Sequence, residues 1–231
     1  MQAETGLVCR VIEPFPEEFF DSAWGIWKRI LAHLILNAEE RDFWYKLPEK
    51  GPRRSDWLLG RAAAKDAIRQ WALQNFNIEL APVDIEILST KSGKPFVRCP
   101  ALEAMGPLPD ISISHSNGYV IAAVAKQNAR IGIDVERFDL VRSDDLLSSA
   151  FSEQELELIS EQNDPATIVG FWCAKEAAAK ALGKGLEGVP HRWHINHYST
   201  DGKQAKVSHF SETFDVKLWY QDTKVIAICQ Y

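Results

Sequence analysis

Apolar positions along this chain change period several times, and each change marks an element. Residues 7–12 alternate weakly and predict a strand. Residues 16–37 place Phe19, Phe20, Trp24, Trp27, Ile30, Leu31, Leu34 and Ile35 at helical spacing. The run Leu47-Pro48-Glu49-Lys50-Gly51-Pro52 breaks that pattern, and Ser55 then offers an N-cap for a helix to about residue 75. A strand is expected over 83–88, a turn at Lys91-Ser92-Gly93-Lys94-Pro95, and a loop over 100–109. Three strands follow in quick succession at 111–114, 119–125 and 131–136, the first two joined by the hairpin dipeptide Asn117-Gly118. Residues 143–161 read as a helix in which Ser152 and Glu155 fit a capping box. An alanine-rich helix starts at Asp164 or Thr167 and stops in the glycines of 183–188, and four alternating strands complete the chain. The expected class is α+β.

The pattern also repeats. Trp57-Leu58-Leu59-Gly60-Arg61-Ala62-Ala63-Ala64-Lys65 aligns with Trp172-Cys173-Ala174-Lys175-Glu176-Ala177-Ala178-Ala179-Lys180 at an offset of 115. Residues 89–94 answer 199–203 at 110, residues 119–124 answer 224–229 at 105, and Val11-Ile12-Glu13 stands opposite Asp134-Val135-Glu136 at 123. Four matches in one order predict two tandem α+β subdomains, 1–127 and 128–231, related by a pseudo-two-fold axis, with a cleft between them as the natural place for a site. In this alignment Arg61 stands where the second copy has Glu176, which assigns phosphate binding to the first copy and metal chemistry to the second.

Composition narrows the function. The 231 residues are 46% hydrophobic and 25% charged, ordinary globular values. No apolar run approaches the roughly 18 to 20 residues of a membrane span, and the N-terminus lacks the pattern of a signal peptide. Cys9, Cys99, Cys173 and Cys229 are scattered without metal spacing and suit a reducing compartment. A net charge of −6 argues against a bulk nucleic-acid binder. A cytoplasmic protein that binds neither membrane nor nucleic acid is expected.

The chemistry concentrates in two acidic clusters forty residues apart. In Gly132-Ile133-Asp134-Val135-Glu136, two carboxylates two residues apart leave one face of a strand. In Phe171-Trp172-Cys173-Ala174-Lys175-Glu176-Ala177-Ala178-Ala179-Lys180, a glutamate sits between two lysines on a helix able to pack closely. Asp134, Glu136 and Glu176 are oxygen ligands for a hard divalent cation such as Mg²⁺, and Lys175 and Lys180 supply charge for a diphosphate. Each half has a plainer reading as well: Glu176 and Lys180 form an ordinary i,i+4 surface pair, and Asp-x-Glu can be a solvated strand end.

Together these motifs resemble the phosphopantetheinyl transferases, specifically the monomeric surfactin-synthetase-type group, which carries a Gly-Ile-Asp-x-Glu strand and a Trp-x-x-Lys-Glu-Ala helix. Ser112-Ile113-Ser114-His115-Ser116 and Gly93-Lys94-Pro95 are further matches. The resemblance implies two pseudo-repeats with coenzyme A between them, and a monomer. It implies that Arg53, Arg54 and Arg61 meet the 3′-phosphate, that Lys94 and Pro95 line the adenine, and that Ser114 and His115 donate to phosphate. It places Lys175 and Lys180 on the diphosphate and Lys184 in a Gly-Lys-Gly turn near it.

The expected reaction moves 4′-phosphopantetheine from coenzyme A to a serine of an apo acyl or peptidyl carrier protein and releases adenosine 3′,5′-bisphosphate. Asp134, Glu136 and Glu176 would hold Mg²⁺. Glu176, directly or through a metal-bound water, would be the base, with Lys175 assisting. The rival is a non-catalytic member that binds coenzyme A or a carrier, and the complete set of three carboxylates argues against it. An unrelated Mg²⁺-dependent nucleotidyl enzyme would leave the Ser-x-Ser-His-Ser motif and the duplication without purpose.

Overall fold

The structure is a computed structural model that describes residues 7–14, 17–125, 128–138, 149–162 and 164–231. Part of the helix expected over 143–161 lies outside the described residues. The chain forms two compact units, one of Met1–Lys91 and Pro95–Ala129, the other of Ser92–Lys94 and Arg130–Tyr231.

In the first unit, β1 (Val8–Ile12) is followed by α1 (Glu17–Ile35), α2 (Ala38–Lys46) and α3 (Arg53–Phe76). A single 3-10 turn (Pro82–Asp84) leads to β2 (Glu86–Ser89) and β3 (Pro95–Arg98), then to α4 (Pro100–Glu103), β4 (Ile111–Ser116) and β5 (Tyr119–Val124). Sheet order is β1-β5-β4, with β2 and β3 paired separately. Asn117 and Gly118, at φ 48° and 82°, make the tight turn between β4 and β5 that their sequence predicts. The apolar side of α3, with Leu58, Ala63, Ala67, Ile68 and Trp71, is buried with Val8, Ile111, Val120, Ala122 and Val124 in one core.

The second unit runs β6 (Ile131–Arg137), α5 (Glu153–Gln162), α6 (Pro165–Leu182), a 3-10 turn (Pro190–Arg192), then β7 (His194–Tyr198), β8 (Gln204–His209), β9 (Glu212–Gln221) and β10 (Lys224–Gln230). Its sheet order is β6-β10-β9-β8-β7, antiparallel throughout. Both units therefore begin with a strand that pairs with their last strand, which pairs in turn with the strand before it. Among the described residues, no helix is long and apolar enough to cross a membrane.

One element was not expected, and two expectations need correction. Residues 38–46 form a helix of their own, opened by a capping box in which Glu40 N–H donates to Asn37 Oδ1 and Asn37 N–H to Glu40 Oε2. The helix α3 starts two residues before Ser55, with Pro52 at its N-cap position and no side-chain cap. The loop expected over 100–109 begins with the short helix α4. At α6 the expected cap is found: the Asp164 carboxylate accepts from Ala166 N–H, and Gly183 ends the helix at φ 84°.

The close seating of α6 on β6 depends on Gly132. A Cβ there would lie 1.8 Å from the Ala177 carbonyl oxygen and 2.4 Å from the Ala181 amide nitrogen, both backbone atoms that cannot turn aside. The alanines 174, 177, 178 and 181 are fully buried on the helix. Gly60→Ala is the mild counterpart, since its added methyl would meet Ile113 Cγ2 at 3.3 Å. We expect Gly132→Ala to destabilise the fold at or above the upper end of the roughly 1–3 kcal/mol that overpacking costs, and Gly60→Ala to fall well below it. Thermal melting of the two variants checks this, and equal melting points would contradict it.

Candidate active site

Asp134 and Glu136 leave β6, and Glu176 leaves α6, which packs on β6. Asp134 is 3% exposed, and its Oδ1 accepts from Lys180 Nζ at 2.7 Å. An isolated carboxylate at that depth would be costly, and the ammonium offsets the cost. Burial opposes the charge on Lys180, yet Asp134 and then Glu176 outweigh it and hold the ammonium above the ordinary lysine range. Cys173 lies beneath them. Burial pushes its thiol well up, and Asp134, Glu136 and a hydrogen bond to Asp134 push it further. Asp134 and Glu136 thus act on Cys173, and Asp134 and Glu176 on Lys180, within one stretch of α6. Glu136 and Glu176 are half-buried, open to solvent on the side away from the core.

Among the described residues, no three His, Cys, Asp or Glu side chains are drawn together in a group that could hold a metal ion. The expectation of a converged carboxylate triad is corrected to that extent: the positive charge at Asp134 is an ammonium. The donor set still fits a hard divalent cation, with three carboxylates on facing elements and a lysine to neutralise them meanwhile.

Lys175 is the larger correction. Its side chain is fully buried, with Nζ donating to Glu155 Oε2 at 2.8 Å and to the Ala150 carbonyl at 2.9 Å. Burial lowers its pKa, against the opposing pull of Glu155. The ammonium is committed to these partners inside the unit, not presented beside Asp134 and Glu176 as expected. Glu155 went unrecognised as its partner, although the capping box that contains it is plain in the sequence.

The first unit holds the same arrangement. Lys65 is 1% exposed, and its Nζ donates to Glu40 Oε2 at 2.5 Å and to the Ile35 carbonyl at 2.7 Å. In each unit the second carboxylate oxygen accepts a strand N–H, from Ile87 to Glu40 and from Ile195 to Glu155. Lys65 therefore corresponds to Lys175, an offset of 110 and not 115. That corrects the helix alignment: the counterpart of Glu176 is Asp66, not Arg61. The strand registers agree and move the first-strand match by one residue: Arg10, not Val11, corresponds to Asp134, because Arg10 faces Ala122 on β5 as Asp134 faces Ala227 on β10. Arg10 Nε donates to Asp66 at 2.5 Å and its Nη2 to Gln70 at 3.2 Å. Where the second unit has Asp134, Glu176 and Lys180, the first has Arg10, Asp66 and Gln70.

The remaining candidates fall into two groups. In the second unit, Ser92 Oγ donates to the Gly183 carbonyl at 2.9 Å and Lys94 Nζ to the Ala181 carbonyl at 3.4 Å, which places Lys94 beside the end of α6. Lys184 is exposed in the following turn, whose Gly183, Lys184 and Gly185 amides all donate to the Ala179 carbonyl; those amides cap the helix. In the first unit, Arg53 is exposed on the first turn of α3. Arg54 is spoken for, donating to the carbonyls of Tyr45 and Leu47 at 2.7 and 2.6 Å. His115 is exposed, with Nδ1 3.9 Å from Asp56 on the first turn of α3, whereas Ser114 is buried and Pro95 half-buried at the start of β3. Burial raises the Asp56 carboxyl, against the pull of His115.

Arg61 is the least satisfied cation of the first unit. Its guanidinium lies 4.2 Å from the Trp57 ring centroid, and its Nη2 donates over 3.4 Å to the Ile87 carbonyl. Among the described residues its buried Nε has no hydrogen-bond partner, and burial lowers its pKa to about 10 despite Glu40.

Residues 130–229, which contain all three carboxylates, match the 4′-phosphopantetheinyl transferase superfamily. A holo-[acyl-carrier-protein] synthase of Bacillus subtilis (strain 168) is 36% identical over 93 residues, covering 40% of this chain and 74% of that protein. An L-aminoadipate-semialdehyde dehydrogenase-phosphopantetheinyl transferase of Schizosaccharomyces pombe (strain 972 / ATCC 24843) is 29% identical over 127 residues, 49% of this chain and 48% of that one. Among solved structures, a holo-(acyl-carrier-protein) synthase from Bacillus anthracis str. Ames, in complex with CoA (3′,5′-ADP), aligns with a TM-score of 0.40 and 25% identity over 52% of this chain and 94% of that chain. With more than a third of the aligned residues shared across nearly three quarters of the Bacillus subtilis enzyme, this chain belongs to the 4′-phosphopantetheinyl transferase superfamily.

Proposed function

We propose that this protein transfers the 4′-phosphopantetheine of coenzyme A to a serine of an apo acyl or peptidyl carrier protein. The observation that carries the reading is that β6, with Asp134 and Glu136, packs on the helix that bears Glu176 and Lys180, Asp134 being bonded to Lys180, all within the stretch that matches the family. The serine oxygen attacks the diphosphate phosphorus that bears pantetheine. The bond from that phosphorus to the bridging oxygen breaks, and adenosine 3′,5′-bisphosphate leaves.

Asp134, Glu136 and Glu176 would hold Mg²⁺, which when bound neutralises charge on the diphosphate and the departing phosphate. The ammonium of Lys180 adds charge beside it. Glu176, half-buried and open to solvent, accepts the proton of the serine hydroxyl. Arg61 is the foremost ligand for a nucleotide phosphate, because a buried guanidinium with unfilled donor sites favours an incoming anion. Arg53 and His115 are surface donors in the same unit, and Lys94 and Lys184 in the other. Arg54 shapes the α2–α3 connection.

Two units of one strand order in a single chain support the surfactin-synthetase-type assignment and a monomeric enzyme. We place the enzyme in the cytoplasm, bound to neither membrane nor nucleic acid.

The direct test incubates apo-carrier, coenzyme A and Mg²⁺ with the protein and weighs the carrier. A mass gain of one phosphopantetheine supports the reading; coenzyme A binding without any gain supports the non-catalytic rival. Asp134→Asn and Glu176→Gln should each remove transfer while preserving the fold, and near-normal turnover of either at saturating Mg²⁺ would refute the metal assignment.

Arg61→Met should raise KM for coenzyme A about 10- to 100-fold, the cost of one or two charge-assisted hydrogen bonds, with kcat little changed. If Arg61 meets the 3′-phosphate, 3′-dephospho-coenzyme A should lose far less than coenzyme A. Equal losses on both would move Arg61 to another part of the nucleotide.

A further inference from the structure

We propose that the buried Lys175–Glu155 pair is a positioning device that fixes the rotation of α6, and with it the direction of Glu176. The inference rests on the reading of Glu176 as a metal ligand and deepens it.

Lys175 and Glu176 are adjacent on the helix, so their side chains leave it about 100° apart. Lys175 points into the unit. Its ammonium is held by the Glu155 carboxylate and by the Ala150 carbonyl, with the Pro190 carbonyl at 3.4 Å. Glu155 is held just as firmly. Its Oε2 accepts from Ser152 N–H at 2.8 Å and its Oε1 from Ile195 N–H at 2.8 Å. The anchor thus joins the start of α5, the start of β7 and the 3-10 turn before it to one point on α6. The Lys175 ammonium also lies 4.7 Å from the Phe151 ring centroid, which closes the remaining side.

A side-chain carboxylate stands roughly 6 Å from its helix axis, so a turn of about 10° displaces it by about 1 Å. An error of that size is enough to cost about 100-fold where groups must meet in fixed geometry. Ala174, Ala177, Ala178 and Ala181 carry no long side chain to tether the helix, so beyond the backbone contact and the packing of Phe171 against Phe151 and Tyr198 its tether is the Lys175 anchor. A buried ion pair is a poor source of stability, because desolvation of both charges offsets most of their attraction. Its use here is directional.

The first unit supplies the internal control. Its Lys65–Glu40 pair has the same partners in the same order, but the residue after Lys65 is Asp66, tied to Arg10. Breaking that pair disturbs an equivalent helix without touching the proposed metal ligands.

The experiment uses the full chain and three readouts: melting temperature, Mn²⁺ affinity by calorimetry, and the split between KM for coenzyme A and kcat. Lys175→Met alone leaves Glu155 buried and unpaired and should melt much lower. The double variant Lys175→Met/Glu155→Gln removes both charges, and the Gln carbonyl oxygen can keep one of the two backbone N–H bonds that Glu155 accepts. It should recover most of the melting temperature, yet bind Mn²⁺ about 10- to 100-fold more weakly and lose kcat to a similar degree. Lys65→Met/Glu40→Gln should leave Mn²⁺ affinity unchanged.

A double variant in the second unit with wild-type Mn²⁺ affinity and kcat would make the pair merely structural and overturn the proposal. Should that variant fail to fold, Glu155→Asp, which keeps the charge and shortens the reach, should show a smaller loss of Mn²⁺ affinity; no loss would equally overturn it. Absence of any Mn²⁺ binding by the wild-type protein would instead remove the metal reading on which the proposal stands.

Discussion

The contact of α6 with β6 at Gly132 governs what the second unit can do. A strand and a helix that touch backbone to backbone bring their side chains within reach over a short span. Asp134, two residues beyond Gly132, then meets Lys180, one residue before Ala181. A bulkier residue at 132 would lift the helix away and leave Asp134 buried without its ammonium. The charges beside this contact are affordable only because the contact is so close: a carboxylate 3% exposed needs its counter-charge within hydrogen-bonding distance.

The two units share their frame and differ in one charge arrangement. Each anchors its long helix by a buried lysine to a glutamate that also caps a helix and receives a strand amide. Beside that anchor the first unit sets Arg10 against Asp66 and Gln70, whereas the second sets Asp134 and Glu176 against Lys180. A guanidinium fixed on the strand is a permanent cation. A strand aspartate paired with a lysine offers a carboxylate that would hold a divalent cation, and an ammonium that would supply charge for phosphate beside it. That difference underlies our proposal that one unit holds a nucleotide phosphate through Arg61 and the other a metal.

Much of this was legible in the sequence where a residue's local context decides its place. Asn117-Gly118 fixes its turn by backbone preference alone, Asp164 caps its helix, and the Gly-Ile-Asp-x-Glu strand and Lys-Glu-Ala helix are found as read. The inward direction of Lys175 is not legible because it depends on Glu155, twenty residues away, and a lysine beside a glutamate looks the same in sequence whether it faces solvent or core. The helix correspondence slipped by five residues because alanine runs match at several offsets; only the shared partners of Lys65 and Lys175 determine the register. The helix at 38–46 was missed because its apolar spacing is poor, although Asn37 and Glu40 repeat the cap made by Ser152 and Glu155. Arg54 looked like a phosphate ligand until its donors were found on the carbonyls of Tyr45 and Leu47.

If charge at one equivalent place separates a metal-binding unit from a phosphate-binding one, the chain has a single site for a divalent cation, in the second unit. Counting bound Mn²⁺ by electron paramagnetic resonance, with coenzyme A present, tests this most directly. The account predicts one tightly bound ion per chain, lost in Asp134→Asn and retained in Asp66→Asn. Two ions per chain, or one ion that survives Asp134→Asn and disappears with Asp66→Asn, would contradict it.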